Sequence, residues 1–375
     1  MIRRISPPRP QWTSLVERQG YHWHTDETGP CWREDAYYEC TPSEVAKLRQ
    51  TAQECLALYQ LAAARVVHEH WWSRVGIREV DVPFVRASWE RADWSLAGRF
   101  DFLWDAHGQP KLLEFNADTA LTLLETALIQ RDWLQAVHPE AAQFNQLHES
   151  LVAAWRTSGL RHIHCAWRPR HPEIEGTVRY LARTVREAGL EATLTALHCL
   201  GWHRASSRFV DREGRPVECC WKLYPSEWML REPFAQHLPQ THCQFVEPLW
   251  RLLFSSKGML AILWELFPDH PALLPCYDSP AALAGDFVTK PLFGREGHNI
   301  TIHAKGRILA ETTGEFASQP CIHQQFVSSP RFHGAVAQLG IWMVRGEAVA
   351  LGLRESQDLI LSSHSPFVPH LITTT

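Results

Sequence analysis

Apolar and polar residues alternate in two short segments, 98–102 and 111–119, with Asp105-Ala106-His107-Gly108 between them. That pattern predicts two β-strands joined by a hairpin turn. Strand side chains alternate faces, so Arg99 and Asp101 share one side while Phe100, Phe102 and Trp104 share the other. On the second strand Glu114 and Asn116 face one way, with Leu113 and Phe115 opposite. If the aromatic and leucine faces turn into a core, one Arg, two carboxylates and one amide converge on the other face. Hard oxygen ligands beside a cation suit Mg²⁺ carrying a polyphosphate. Alternation of this kind is ordinarily the solvated face of an antiparallel sheet. Two details point further. Asn is a poor strand former, and paired carboxylates on neighbouring strands repel unless a cation lies between them.

Elsewhere the pattern predicts a Pro- and aromatic-rich irregular stretch over the first forty residues, then a long helix. Thr41 is its N-cap, Pro42 takes the first helical position, and Glu44 completes a capping box. Its apolar stripe runs through Val45, Leu48, Cys55, Tyr59, Ala62 and Val66 to an end near Trp72. A second amphipathic helix follows the hairpin over about 121–137. Strand 162–167, helix 175–189 and strand 191–197 read as a βαβ unit, without the GxGxxG that would assign it a dinucleotide. A helix spans 249–267 with Lys257 and Gly258 in its middle. Strands follow at 287–291, 300–303, 307–311, 321–327, 341–344 and 348–353, with a glycine-bearing loop at 294–299.

The chain has 375 residues, enough for two or three domains that each bury a core. Its net charge of −4 gives no basic footprint, which argues against nucleic acid. No apolar run reaches the length of a membrane span, so no membrane partner is expected. The opening residues lack the apolar core of a signal peptide. Ten cysteines occur without a CxxC pair, which gives no zinc or thioredoxin signal; Cys219-Cys220 fits a buried strand. Reduced thiols and a cytoplasmic location are the expectation. His68-Glu69-His70 lies at a helix end, where i,i+2 spacing does not put two rings on one face, and His162-Ile163-His164-Cys165 alternates as a strand does; both read as surface or core histidines rather than ligands.

A loop whose glycines let backbone N–H groups approach oxygens, with Lys290 ahead of it, can cover phosphates. By itself this is a turn, and Arg354 by itself is a strand-end charge; the set Arg99, Asp101, Glu114, Asn116, Lys257, Lys290, the 294–299 loop and Arg354 is what matters. The chain resembles the glutathionylspermidine synthase family, in a short form without an amidase domain. The resemblance rests on Gly-Arg-Phe-Asp-Phe (98–102), Lys-Leu-Leu-Glu-Phe-Asn-Ala-Asp-Thr (111–119), Trp-Lys-Leu-Tyr-Pro-Ser-Glu-Trp-Met (221–229) and Glu-Pro-Leu-Trp (247–250). It continues through Ser-Lys-Gly (256–258), Lys-Pro-Leu-Phe-Gly-Arg-Glu-Gly (290–297), Gln-Gln-Phe (324–326), Gly-Leu-Arg-Glu-Ser (352–356) and Phe-Val-Pro-His (367–370). These segments recur in family order over nearly the whole chain.

The resemblance implies an α+β fold, an ATP-grasp with an inserted Rossmann-like lobe. Residues 1–95 would pack on the grasp, 96–155 and 240–375 would form it, and 156–239 would be the lobe. It implies Mg²⁺, as two ions, on Asp101, Glu114 and Asn116. It implies ATP held by Arg99, Asp101, Lys257 and Lys290, with Gly297 in the covering loop, Gln325 near the adenine and Leu359 packed beside it. Arg99, assisted by Arg354, would stabilise the transferring phosphoryl group. The implied reaction is ATP-dependent C–N ligation of a carboxylate, such as a glutathione-like peptide, to a polyamine-like amine through an acyl phosphate. A nucleotide-binding regulator and a phosphotransferase that stops at the phosphorylated acid are the alternatives, and the oligomeric state stays open. Two departures bear on specificity. His298 follows Arg-Glu-Gly, where family members often carry Gly or Ala, and its bulk would restrict the loop or add a phosphate contact. Ala120-Leu121-Thr122 replaces the family's Pro and Ser beside the acid substrate. Glu227 is a candidate acceptor for the amine proton, with a structural role the favoured reading.

Overall fold

A computed structural model gives the fold of residues 1–169 and 171–373. The two alternating segments form an antiparallel hairpin, Ala97–Trp104 against Pro110–Asn116, which sits at one side of a six-stranded sheet. Asp105 closes its turn by accepting from the backbone N–H groups of His107 and Gln109. Ala335–Val344 pairs on the other side of Ala97–Trp104, followed by Glu347–Ser356 and Phe367–Val368. Arg99 therefore lies between Asn116 and Trp342, and Asp101 between Glu114 and Gly340.

A β-bulge between Asp101 and Phe102 corrects the predicted facing of one residue. Past the bulge Phe102 opposes Leu112, so Leu112 enters the core and Leu113 does not. Leu113 instead joins the cleft wall on the polar side. Bulges add one residue to a strand and invert the faces beyond it.

The hairpin's aromatic face packs on the helix Pro42–His68. Tyr59 meets Phe100, Phe115 and Phe254 edge-on, each at 5.5 Å, and Phe100 stacks on Phe115 at 3.8 Å. The helix begins with the predicted capping box: Thr41 Oγ1 accepts from Glu44 N at 3.2 Å, and Glu44 accepts from Thr41 N at 2.8 Å. We expect Thr41→Ala to lower unfolding free energy by about 1 kcal/mol in a urea titration, with no change in slope.

Three predicted elements differ in detail. The first forty residues are not irregular: Ile2–Ile5 and Ala36–Cys40 pair, and His370–Ile372 joins the second of these in parallel. The helix expected over 121–137 begins two residues later and contains a π-helical turn, Glu125–Ile129, before Gln130–Val137. The helix expected over 249–267 is two helices, Arg251–Ser255 and Gly258–Leu266, broken by extended Ser256. Gly258 lies so close to Arg74 that a Cβ would stand 2.2 Å from its carbonyl oxygen, and this contact fixes the break.

The predicted βαβ unit is present in a four-stranded parallel sheet ordered Gln244–Val246, Cys219–Leu223, His162–Trp167, Glu191–Ala196. Helix Pro172–Glu187 forms the crossover, starting three residues before the predicted one with His171 accepting from Glu173 N. A fully buried ion pair, Lys222–Asp118 at 2.8 Å, joins this sheet to the loop after the hairpin. Antiparallel strands Cys276–Tyr277, Cys321–Gln325, Phe287–Pro291, Thr301–Ala304 and Arg307–Glu311 make a five-stranded sheet that lines the cleft with the hairpin's polar face. All ten cysteines are free thiols, with Cys219 and Cys220 buried in their strand. Among the described residues no helix is long and apolar enough to cross a membrane.

Candidate functional site

A cleft of about 670 Å³ opens along the hairpin's polar face, and all ten residues singled out from the sequence line it. Arg99, Asp101, Glu114 and Asn116 form its floor. The face is not a solvated one, since Arg99 and Asp101 are both buried.

The charges on the floor are interleaved. Arg99 holds Asp101 with two parallel bonds, Nε to Oδ1 at 2.6 Å and Nη2 to Oδ2 at 2.9 Å. Asn116 Nδ2 donates to Asp101 Oδ2 at 2.7 Å and Glu114 Oε1 at 3.2 Å. Lys257 Nζ meets Glu114 Oε2 at 2.6 Å, and also donates to the carbonyl of Gly294 at 2.7 Å. Lys290 donates to Gln324 Oε1 at 2.7 Å. Burial pushes the Asp101 carboxyl above its ordinary range in spite of Arg99. Burial acts the same way on Glu114, but Lys257, Lys290 and Asn116 outweigh it and hold that carboxyl at about 2. Burial lowers the Lys290 ammonium to about 8, with Glu114 opposing and Lys257 assisting.

The helix break puts Lys257 at the head of Gly258–Leu266, where its N–H donates to the carbonyl of Leu292 at 2.9 Å and its side chain reaches the 294–299 loop. In that loop Gly297 has φ +74°, and a Cβ there would stand 2.2 Å from the carbonyl oxygen of Leu361, so the position admits only glycine. Arg354 is held by the following loop, donating to the carbonyls of Ser365 at 3.0 Å, Ser363 at 3.1 Å and Ser362. Burial and the neighbouring Arg99 lower its guanidinium from the ordinary value. Gln325 and Leu359 stand on the cleft wall beside Val288, Ile302 and Phe326.

Two residues weighed from the sequence lie off the cleft wall. His298 is off the cleft wall: its ring packs over Gly314, where a Cβ would stand 2.6 Å from the ring's Cγ, and beside Phe316. Glu227 is also off the wall, paired with Arg295 at 2.5 Å, and Arg295 lies over the Trp228 ring.

The structure adds Glu125, Glu173, Arg295 and Glu296 to the cleft. Glu125 is buried; Oε1 accepts from Trp23 Nε1 at 3.0 Å, while Oε2 has no hydrogen-bond partner among the described residues. Trp23 reaches it because Gly176 leaves room for the indole ring. Burial and the charge of Glu125 push the Glu173 carboxyl up to about 8, against Arg354 and Arg99 and with Glu296. Glu125 carried a signal, being the one charged residue between Asp118 and Arg131. Glu173 carried none, because an acid in a helix's first turn is what the helix dipole favours anyway.

Among the described residues no group of three or more His, Cys, Asp or Glu could hold a metal ion. Asp101, Glu114 and Asn116 offer two carboxylates and an amide, a hard-oxygen donor set already holding cationic groups. They fit a divalent ion that brings part of its coordination with a phosphate ligand.

The family model described as glutathionylspermidine synthase preATP-grasp matches residues 3–373, and the chain belongs to that family. A Haemophilus influenzae protein named "Putative acid--amine ligase" is 31% identical over 98% of this chain and 99% of its own length. Trypanothione synthetase from Crithidia fasciculata is 29% identical over 88% of this chain, and the bifunctional glutathionylspermidine synthetase/amidase of Escherichia coli is 29% identical over 90%. The chain spans 56% and 59% of those two longer proteins. A glutathione synthetase-like effector from Globodera pallida shares the fold, with a TM-score of 0.55 at 9% identity over 98% of this chain and 100% of its own.

Proposed function

We propose that this chain is an ATP- and Mg²⁺-dependent ligase, acting in the cytoplasm, that joins a carboxylate to an amine through an acyl phosphate. The observation that carries the reading is the gathering in one cleft of Arg99, Lys257, Lys290, Arg354 and the 294–299 loop with the acids Asp101, Glu114, Glu125 and Glu173. In this reading the fold is an ATP-grasp, with 96–155 and 240–375 as the grasp and the parallel sheet as a Rossmann-like insertion. Strand Gln244–Val246 belongs with that insertion by its pairing.

ATP lies with its adenine against Leu359 and Gln325 and its phosphates between Lys257, Lys290 and the 294–299 loop. Asp101, Glu114 and Asn116 would hold two Mg²⁺ ions, which would neutralise phosphate charge when bound. The acid's carboxylate oxygen attacks the terminal phosphorus, an O–P bond forms, and the bridging bond breaks to release ADP. Arg99, backed by Arg354, meets the charge that develops there. The neutral amine nitrogen then attacks the acyl carbon and forms the C–N bond, the C–O bond breaks, and phosphate leaves, taking up the proton that nitrogen loses.

In the same cleft, Glu125 and Glu173 receive the amine substrate. A buried carboxylate oxygen without a partner suits a cationic ammonium group, and so does a second acid whose ionisation awaits a counter-charge. A polyamine bound there makes Glu173 ionise, so binding releases a proton below pH 8. We expect spermidine affinity to rise about tenfold per pH unit from 6 to 8 and then to level off, and Glu173→Gln to flatten the profile. Calorimetry at three pH values checks this. The same group makes folding less favourable as pH rises from about 4.5 to about 8, because the unfolded chain gives up that proton first.

Hydroxylamine trapping tests the reaction type. A trapped hydroxamate that disappears when a competent amine is added supports the ligase. A hydroxamate indifferent to amines means a phosphotransferase, and ATP bound without turnover means a regulator.

A further inference from the structure

Thr122 holds a backbone conformation that its side chain disfavours. Its φ is +69° in a buried position, and a β-branched residue in the left-handed region is a true outlier that persists only where surrounding structure imposes it. What this turn accomplishes is visible at Arg99. Nη1 of Arg99 donates to the carbonyl of Leu121 at 2.6 Å and to the hydroxyl of Thr122 at 3.1 Å. Nε and Nη2 are on Asp101. Four of the guanidinium's five N–H groups are thus fixed by protein, and one Nη2 hydrogen is left for a ligand.

The strained residue is tied down behind. Its carbonyl accepts from the N–H of Thr126 at 3.1 Å and from the Thr126 hydroxyl at 2.8 Å, at the start of the π-helical turn. Thr126 Oγ1 in turn accepts from Trp342 Nε1 at 3.2 Å, and the Trp342 ring lies 5.9 Å from the Arg99 guanidinium carbon. Two glycines paired across neighbouring strands make the space. A Cβ on Gly340 would stand 2.7 Å from Arg99 Cδ, and one on Gly352 would stand 2.7 Å from Thr126 Oγ1.

We propose that Thr122 is a positioning residue for the phosphoryl-transfer step: its left-handed turn aims the Leu121 carbonyl and its own hydroxyl at Nη1, and so completes, with Asp101 on Nε and Nη2, the set of bonds that locks the plane of Arg99. This rests on reading Arg99 as the group that faces the transferring phosphoryl. Free rotation of the guanidinium would place its remaining N–H at random with respect to the reacting oxygens, and such misplacement costs rate without weakening nucleotide binding.

The test compares Thr122→Ser, which keeps the hydroxyl, with Thr122→Gly, which removes it and also relieves the backbone. Arginine ¹⁵N spectra, assigned by Arg99→Lys, read the guanidinium directly. Separate Nη signals, showing slow rotation about Nε–Cζ, are expected in the wild type and Thr122→Ser, and merged signals in Thr122→Gly. With glutathione and spermidine as probe acid and amine, Thr122→Gly should melt at or above the wild-type temperature. Its kcat should fall about tenfold, with the KM for Mg-ATP unchanged. A residue serving stability alone does not give a firmer protein and a slower enzyme together. Separate Nη signals in Thr122→Gly, or wild-type kcat in that variant, overturn the proposal. Absence of turnover in the wild type counts against the ligase reading, and the spectra still decide the role of Thr122.

Discussion

Arg99→Ala lowers kcat for ligation by about 10³-fold, the scale set by removing one pre-aimed donor from a developing negative charge, and leaves Mg-ATP affinity little changed. The separation follows from the proposed reading, in which Lys257, Lys290 and the 294–299 loop hold the phosphates, whereas Arg99 stands on the floor opposite Asn116. The variant also leaves Asp101, which is fully buried, without its counter-ion, and breaking such a pair costs about 3–5 kcal/mol. Arg99→Lys therefore carries the argument. It keeps a positive charge beside Asp101, yet an ammonium cannot hold both carboxylate oxygens, the Leu121 carbonyl and the Thr122 hydroxyl in one plane. We expect Arg99→Lys to melt within a few degrees of the wild type and still to turn over slowly. Single-turnover measurement of ADP formation beside equilibrium nucleotide binding checks both parts, and a variant that loses ATP affinity but turns over normally at saturation would remove Arg99 from the chemistry.

Lys290→Met gives the opposite signature. The Lys290 ammonium donates to Gln324 and lies near the carbonyl of Leu113, with its pKa lowered to about 8 by burial. Below that pH the folded protein carries the cost of a desolvated charge, which a bound phosphate offsets. Removing the charge raises the KM for Mg-ATP roughly 10- to 150-fold, the value of a charge-assisted hydrogen bond. The free protein becomes no less stable, because methionine fills a similar volume with no charge to desolvate. Thermal melts with and without Mg-ATP check the pair of effects: the variant should start at or above the wild type and gain less from nucleotide. A lower melting temperature with an unchanged KM would make Lys290 a structural residue.

How much of this was legible in the sequence depends on whether a feature is set by local periodicity or by distant packing. The hairpin was legible because alternation has a period of two, and with it came the pairing of Asp101 with Glu114. The capping box at Thr41 was legible because three residues carry it. The bulge after Asp101 was not, since it changes no residue type; it only turns Leu113 out of the core and Leu112 into it. The break at Ser256 was hidden inside an apolar run that reads as one helix, because its cause is the approach of Arg74 from far away in the chain. Glu125 and Glu173 come together only through the crossover helix and the π-helical turn, neither of which alternation reports. The strain at Thr122 is likewise a tertiary matter, imposed by Arg99 and Thr126 on a residue with low preference for that conformation.

The central claim is that one cleft couples ATP cleavage to amide formation. The measurement that tests it most directly is ADP release from Mg-ATP across a matrix of carboxylates and polyamines, including glutathione with spermidine, with products read by mass spectrometry. The account predicts ADP only in wells that hold a competent acid, together with a product lighter by one water than its acid and amine combined. ATP bound tightly with no ADP in any well, or ADP formed equally with no acid present, would contradict it.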